Sequence, residues 1–315
     1  MRAAPLVRTE NNPLGDAAEA VWLDADDGAR LRRVHFGGTG ERGTALIVPG
    51  WAEPSEKYAE VAGDLIDRGF DVFTYDPRGQ GLSERISDES DRARLTDYAK
   101  HLEDLGAIIR SLPSARLTVI GHSMGGLSVL SWLADGGEAD AAILSAPATR
   151  IYPHALQRWA VRGVARVLMA LGMPDVPLTK EGGMAMRFEG NTLTSDPVRH
   201  DVLRQLLLAD DRLRLPRASP AMVAAMHRQQ AKIHEPGALD GLSVPVLMVS
   251  AIGDEWVDST DHPQIAERSP MIDLVSIEGS RHEILMERDE VRQRFWAAFD
   301  VHIERHMPAA SAAST

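Results

Sequence analysis

The sequence predicts an α/β fold: a mostly parallel sheet wrapped by helices, with one helical cap insertion. Three observations carry that prediction. Strand-like and helix-like segments alternate from about residue 34 to 144, no convincing strand appears from about 149 to 243, and alternation resumes at Val244. Alternation of this kind favours a parallel sheet, because each parallel connection must cross one face and usually does so as a helix. Both flanks of the insertion return to the same sheet. We therefore read 18–148 and 244–306 as one core, 149–243 as a cap over it, and 1–17 and 307–315 as flexible termini.

The elements follow in order. Val34–Phe36 ends a strand-like run, and Ala45–Val48 is a short apolar strand stopped by Pro49-Gly50. Ser55–Arg68 sets Tyr58, Val61, Ala62, Leu65 and Ile66 on one helical face, and Gly69 closes it. Asp71–Tyr75 is the next strand. Thr96 is placed to cap a helix whose stripe is Tyr98, Leu102, Leu105, Ile109 and Leu112. Leu117–Ile120 reads as a strand, Met124–Ala134 as a helix and Ala141–Leu144 as a strand. After the insertion come the strands Val244–Ala251 and Ile272–Ile277, then the amphipathic helix Glu290–His306.

Composition narrows the function. The 315 residues hold 46 acidic and 34 basic side chains, a formal charge of -12 that disfavours nucleic-acid partners. Cysteine is absent, which removes disulfides, thiolate metal sites and cysteine nucleophiles. The N-terminal residues show no apolar signal region, and no apolar run reaches bilayer length, so a cytoplasmic protein is expected, with peripheral membrane contact open.

Gly121-His122-Ser123-Met124-Gly125 stands between an apolar strand and a helix, the context in which G-x-S-x-G presents a nucleophilic serine. A sharp turn there needs small flanking residues, and the helix N-terminus aims N–H groups at the same spot. Serine needs a positioned base. In this architecture an acid follows the nucleophile and a histidine follows the acid. Asp254 lies just past the strand that ends at Ala251 and is the expected acid, with Asp258 and Glu255 as competitors. His282 lies in the loop after the strand that ends at Ile277 and is the expected base, with His262, His302 and His306 as rivals. The loop after Val48 should supply one oxyanion N–H from Trp51, and Met124 the other. His282-Glu283 begins like a zinc motif, but Met286 stands where the second histidine would be, so neither metal nor cofactor is expected.

Five stretches carry a family resemblance: PGWAEPSEKY (49–58), YDPRGQGLSER (75–85), GHSMGG (121–126), SAIGDEWVD (250–258) and GSRHEILMERDEVR (279–292). Together they resemble the α/β-hydrolase family of serine hydrolases, within it the lysophospholipase and monoacylglycerol-lipase group, and most of all its bacterial lysophospholipases. The resemblance implies an α/β-hydrolase fold, the triad Ser123, Asp254 and His282, and oxyanion donors Trp51 and Met124. It implies hydrolysis of lysophospholipids, with monoacylglycerols or general carboxylic esters as the alternative. The lipase branch usually has His-Gly where this chain has Pro49-Gly50, which weakens a direct transfer of monoacylglycerol specificity. Amide, peptide or thioester hydrolysis, and a non-catalytic binding role, are further readings of the same fold.

The cap should decide what fits. Leu156, Trp159, Ala160, Val164, Val167, Leu168 and Leu171 form one apolar helical stripe, expected to pack on the core. Arg158, Arg162 and Arg166 form a basic line suited to anionic lipid head groups or to a plain solvated face. Trp159, Met222 and Met226 are the expected substrate contacts, methionine being adaptable to acyl chains. Oligomeric state is not legible.

Overall fold

The computed structural model describes residues 2–84, 97–113, 116–176, 178, 186–214 and 218–308. Its strands are β1 (Arg2–Ala3), β2 (Glu19–Asp24), β3 (Arg30–Gly37), β4 (Gly43–Val48), β5 (Phe70–Asp76), β6 (Leu117–His122), β7 (Ala141–Ser145), β8 (Val246–Ile252) and β9 (Ile272–Glu278). They form one sheet in the order β1-β2-β3-β5-β4-β6-β7-β8-β9. The first three strands run antiparallel to their neighbours, and every pairing from β5 to β9 is parallel.

The central strands read as unbroken apolar runs because both sheet faces are covered. In β4, Leu46 and Val48 enter one core cluster while Ala45 and Ile47 enter the other. Helices α1 (Ala59–Ile66), α2 (Tyr98–Arg110), α3 (Met124–Ala134) and α8 (Asp289–His306) bury their apolar faces in these clusters, α8 through Phe295, Trp296 and Phe299. The segment between β7 and β8 carries α4 (Ala155–Ala170), α5 (Pro197–Ala209) and α6 (Pro220–Ile233), and no named strand among its described residues. A short helix α7 (Asp261–Ala266) follows β8.

The structure departs from expectation in three places. Residues 1–17 were expected to be loose, yet β1 pairs with β2, and Val7 donates its N–H to Glu56 at 2.9 Å. The strand β2 gives no clear sequence signal because its residues are half-exposed at the sheet edge. The apolar stripe of α4 does not pack on the core. Only Ala165 is buried, while Leu156 is 77% and Trp159 74% exposed, and Val164, Val167 and Leu171 are exposed with them. Periodicity locates an apolar face but not what covers it. The Thr96 cap lies outside the described residues; Asp97 accepts the capping bond from Ala99 N–H. Residues 309–315 of the C-terminal tail also lie outside them.

Candidate active site

In a parallel sheet all carboxyl strand ends share one edge, and chemistry-bearing loops collect there. Here β4, β6, β8 and β9 deliver Gly50–Trp51, Ser123, Asp254 and His282 to that edge. Ser123 occupies the turn between β6 and α3 with φ 53°, a positive value that a serine adopts only under constraint. Three backbone bonds hold it: Ser123 N–H to Ser145 at 3.0 Å, and Leu127 and Ala148 N–H to the Ser123 carbonyl at 3.1 and 2.9 Å.

The glycines around it serve close approach rather than backbone freedom, for Gly121, Gly125 and Gly126 all lack positive φ. A Cβ on Gly125 would stand 2.1 Å from the Val48 carbonyl oxygen, and one on Gly126 would stand 2.8 Å from Pro147 Cβ. The elbow is thus wedged between the β4 loop and the β7 loop.

Ser123 Oγ lies 2.9 Å from His282 Nε2, and His282 Nδ1 lies 2.6 Å from Asp254 Oδ2. The carboxylate fixes the tautomer, with Nδ1–H donating to Asp254 and Nε2 free to accept from the serine hydroxyl. Asp254 Oδ1 is itself held by Trp256 and Val257 N–H at 2.7 and 3.0 Å. Burial works against a charged His282. The Asp254 carboxylate and its hydrogen bond outweigh burial, aided by Glu283 and Glu53, and raise the imidazole above its ordinary value. Burial likewise works against Asp254 ionisation. His282 and the two backbone donors prevail and hold it below the usual carboxylate range.

The rivals go elsewhere. Asp258 pairs with Arg158 and Thr260, and Glu255 is exposed. His262 is buried between Ser250 Oγ and the Pro147 carbonyl, while His302 and His306 lie on α8.

Two amides face no partner. Gly50 N–H donates to Glu53 and Ala52 N–H to Gln80, but Trp51 N–H between them, and Met124 N–H at the start of α3, have none among the described residues. Trp159 stands exposed on α4, whereas Met222 and Met226 are buried in the core cluster that contains Met124 and Val48. Arg158 bonds the Tyr152 and Pro153 carbonyls and Asp258, so it ties α4 to the β8 loop and leaves Arg162 and Arg166 as the exposed part of the basic line.

Beneath the triad lies a charged cluster that sequence reasoning missed. Lys57 Nζ sits 2.5 Å from Glu53 Oε1 and 2.8 Å from Glu283 Oε1, with all three side chains buried. Glu53 Oε2 accepts the Gly50 N–H at 2.6 Å and the Tyr58 hydroxyl, and so fixes the loop that carries Trp51. Burial disfavours every charge here. Even so, Lys57 and His122 hold Glu53 below its ordinary value, and the two carboxylates hold Lys57 above its own. His122 approaches Glu53 at 3.6 Å, and burial lowers its pKa against the pull of that carboxylate. The only signals in sequence are the i, i+4 spacing of Glu53 and Lys57 and the adjacency of Glu283 to His282, and such pairs usually lie on surfaces. Lys57→Met strands two buried carboxylates, and we expect a loss of about 3–5 kcal/mol in unfolding free energy. Chemical denaturation measures it; a loss under about 1 kcal/mol would contradict a buried ionic cluster.

The chain is 25% identical over 256 residues to the probable lysophospholipase L2 of Haemophilus influenzae, covering 79% of each chain. It is 28% identical over 237 residues to the monoacylglycerol lipase of Mycolicibacterium smegmatis, covering 71% of this chain and 81% of that one. The fold matches a soluble variant of monoglyceride lipase from Saccharomyces cerevisiae with TM-score 0.75 at 22% identity, covering 93% of this chain and 97% of that one. The family Hydrolase_4 (serine aminopeptidase, S33) matches residues 39–289, most of the chain. This protein therefore belongs to the Hydrolase_4 family and has the α/β-hydrolase fold.

Proposed function

We propose that this protein is a serine hydrolase that cleaves carboxylic esters of single-chain lipids, lysophospholipids first, through an acyl-enzyme. One observation carries the reading: Ser123, His282 and Asp254 form a continuous hydrogen-bonded chain at 2.9 and 2.6 Å beside two uncommitted amides. Ser123 Oγ attacks the acyl carbonyl while His282 Nε2 takes its proton, and Asp254 stabilises the resulting imidazolium. The N–H groups of Trp51 and Met124 receive the negative charge of the tetrahedral intermediate. His282 returns the proton to the departing alcohol. It then draws a proton from water, whose oxygen attacks the acyl carbon; the bond to Ser123 Oγ breaks, the acid leaves, and His282 returns the proton to Ser123 Oγ. No step calls for a cofactor.

The relatives named lysophospholipase and monoacylglycerol lipase support the substrate class. The family description names a peptidase, which keeps peptide hydrolysis as the second reading. The deciding experiment labels the purified protein with a fluorophosphonate, then compares a lysophospholipid, a monoacylglycerol, a short p-nitrophenyl ester and a peptide arylamide. Labelling with fastest turnover of the lysophospholipid supports the proposal. Faster cleavage of the arylamide would replace it with the peptidase reading, and labelling with short esters alone cleaved would remove the lipid assignment.

We take 149–243 as the cap and assign its outer face to the lipid surface that presents the substrate. No described helix is long and apolar enough to cross a membrane. A helix lying on one needs an exposed apolar side and nearby cations. α4 has both, with Leu156, Trp159, Val164, Val167 and Leu171 exposed and Arg162 and Arg166 beside them. Large exposed apolar surface is unusual unless it docks something. Leu156→Asp with Val167→Asp is expected to weaken co-sedimentation with anionic vesicles at least about tenfold, since each buried aliphatic side chain contributes about 1.5–3 kcal/mol. Hydrolysis of a short soluble ester should be unchanged. Undiminished vesicle binding by the double variant would eliminate this face as the contact.

A further inference from the structure

We propose that Asp273, His302 and His306 form a binding site for a divalent transition metal of the zinc class, at the end of the sheet opposite Ser123. His302 and His306 stand one turn apart on α8, with ring centroids 4.6 Å from each other, and Asp273 projects from the second position of β9. One donor atom from each residue lies within 4.8 Å of the others. β9 runs toward the Ser123 edge, so its first residues lie at the far edge, and this site is separate from the triad.

His302 supplies the independent observation. Its side chain is 2% exposed, and neither ring nitrogen makes a hydrogen bond of good geometry among the described residues, although the Pro245 carbonyl lies beside the ring. Native structures rarely leave a buried polar side chain unsatisfied without a reason. His302 Nδ1 lies 3.7 Å from Asp273 Oδ2, too far for a hydrogen bond but close enough for both atoms to turn onto one ion.

Two imidazoles and a carboxylate suit zinc, cobalt or nickel rather than magnesium or calcium, which prefer all-oxygen shells. Metal–ligand bonds of about 2.0–2.1 Å put tetrahedral donors about 3.3 Å apart. Closing from 4.8 Å takes small rotations of the exposed Asp273 and His306 side chains. Arg305 competes, because its Nη1 lies 3.3 Å from Asp273 Oδ2. A bound ion would clip β9 to α8, the two elements that flank the His282 loop, and would stabilise that junction.

The test uses the full chain after chelator treatment, with zinc, cobalt and magnesium titrated by calorimetry and thermal unfolding followed alongside. We expect one zinc or cobalt ion per chain with micromolar affinity, a higher Tm on binding, and no response to magnesium. His306→Ala and Asp273→Asn, both at exposed positions that keep the fold, should each weaken zinc at least tenfold. Arg305→Gln should tighten it by removing the competing cation. No saturable zinc binding, or binding that neither His306→Ala nor Asp273→Asn weakens, would overturn the proposal.

Discussion

Ser123→Ala is expected to lower kcat for ester hydrolysis on the order of 10⁶-fold, to abolish fluorophosphonate labelling and to leave the fold intact. The reason is local. Among the described residues Ser123 Oγ is the hydroxyl that His282 Nε2 contacts, at 2.9 Å, so its removal leaves the base nothing to activate except water. The substitution keeps Cβ, and the backbone bonds that hold the turn are made by main-chain atoms, so they survive it. Residual hydrolysis should still exceed the rate in buffer, because the N–H groups of Trp51 and Met124 remain. Steady-state kinetics together with intact-mass analysis of the labelled protein measure both effects. A variant retaining more than about a hundredth of the activity would remove Ser123 from the chemistry.

Asp254→Asn should lower kcat about 10⁴-fold. Asp254 Oδ1 is pinned by two backbone N–H donors, so an asparagine at this position keeps its oxygen there and turns its NH₂ toward His282 Nδ1. An NH₂ facing Nδ1 makes that atom the acceptor and moves the ring proton to Nε2, the wrong tautomer for accepting from Ser123. The same substitution has a signature in pH. His282 works as a base only when neutral, and its pKa is raised by Asp254 against the effect of burial. Activity of the unaltered protein should therefore fall as pH drops through a midpoint above about 6.5. In Asp254→Asn the carboxylate charge is gone while the burial remains, so the acidic limb of kcat/KM should move to lower pH. A limb that does not move would mean that the titrating group is not His282.

The triad was legible in the sequence because each member sits at a strand terminus, and strand termini show themselves as apolar runs that stop. Gly121 to Gly125 marks the turn, Gly253-Asp254 follows β8, and Gly279 to His282 follows β9. The trio of Glu53, Lys57 and Glu283 was not legible. Nothing in composition separates a buried ion cluster from a solvated one, and its members come from two loops 226 residues apart at Lys57 and Glu283. The proximity of Asp273, His302 and His306 was hidden for the same reason: His302 and His306 are a visible i, i+4 pair, but Asp273 joins them only through the pairing of β9 with its neighbours.

The sequence by itself determined the alternation of elements, the insertion and the identity of the three residues that meet at the sheet edge. Backbone periodicity and strand termini are local properties, and local patterns record them. Tertiary structure alone decided which way apolar faces point. The stripe on α4 and the stripe on α2 have the same periodicity, yet α2 is buried against α3 and α4 turns its stripe to solvent. It also decided why the elbow glycines are glycines, since the atoms a Cβ would strike belong to Val48 and Pro147. Burial depends on what lies across the gap, and no stretch of one segment contains its neighbour.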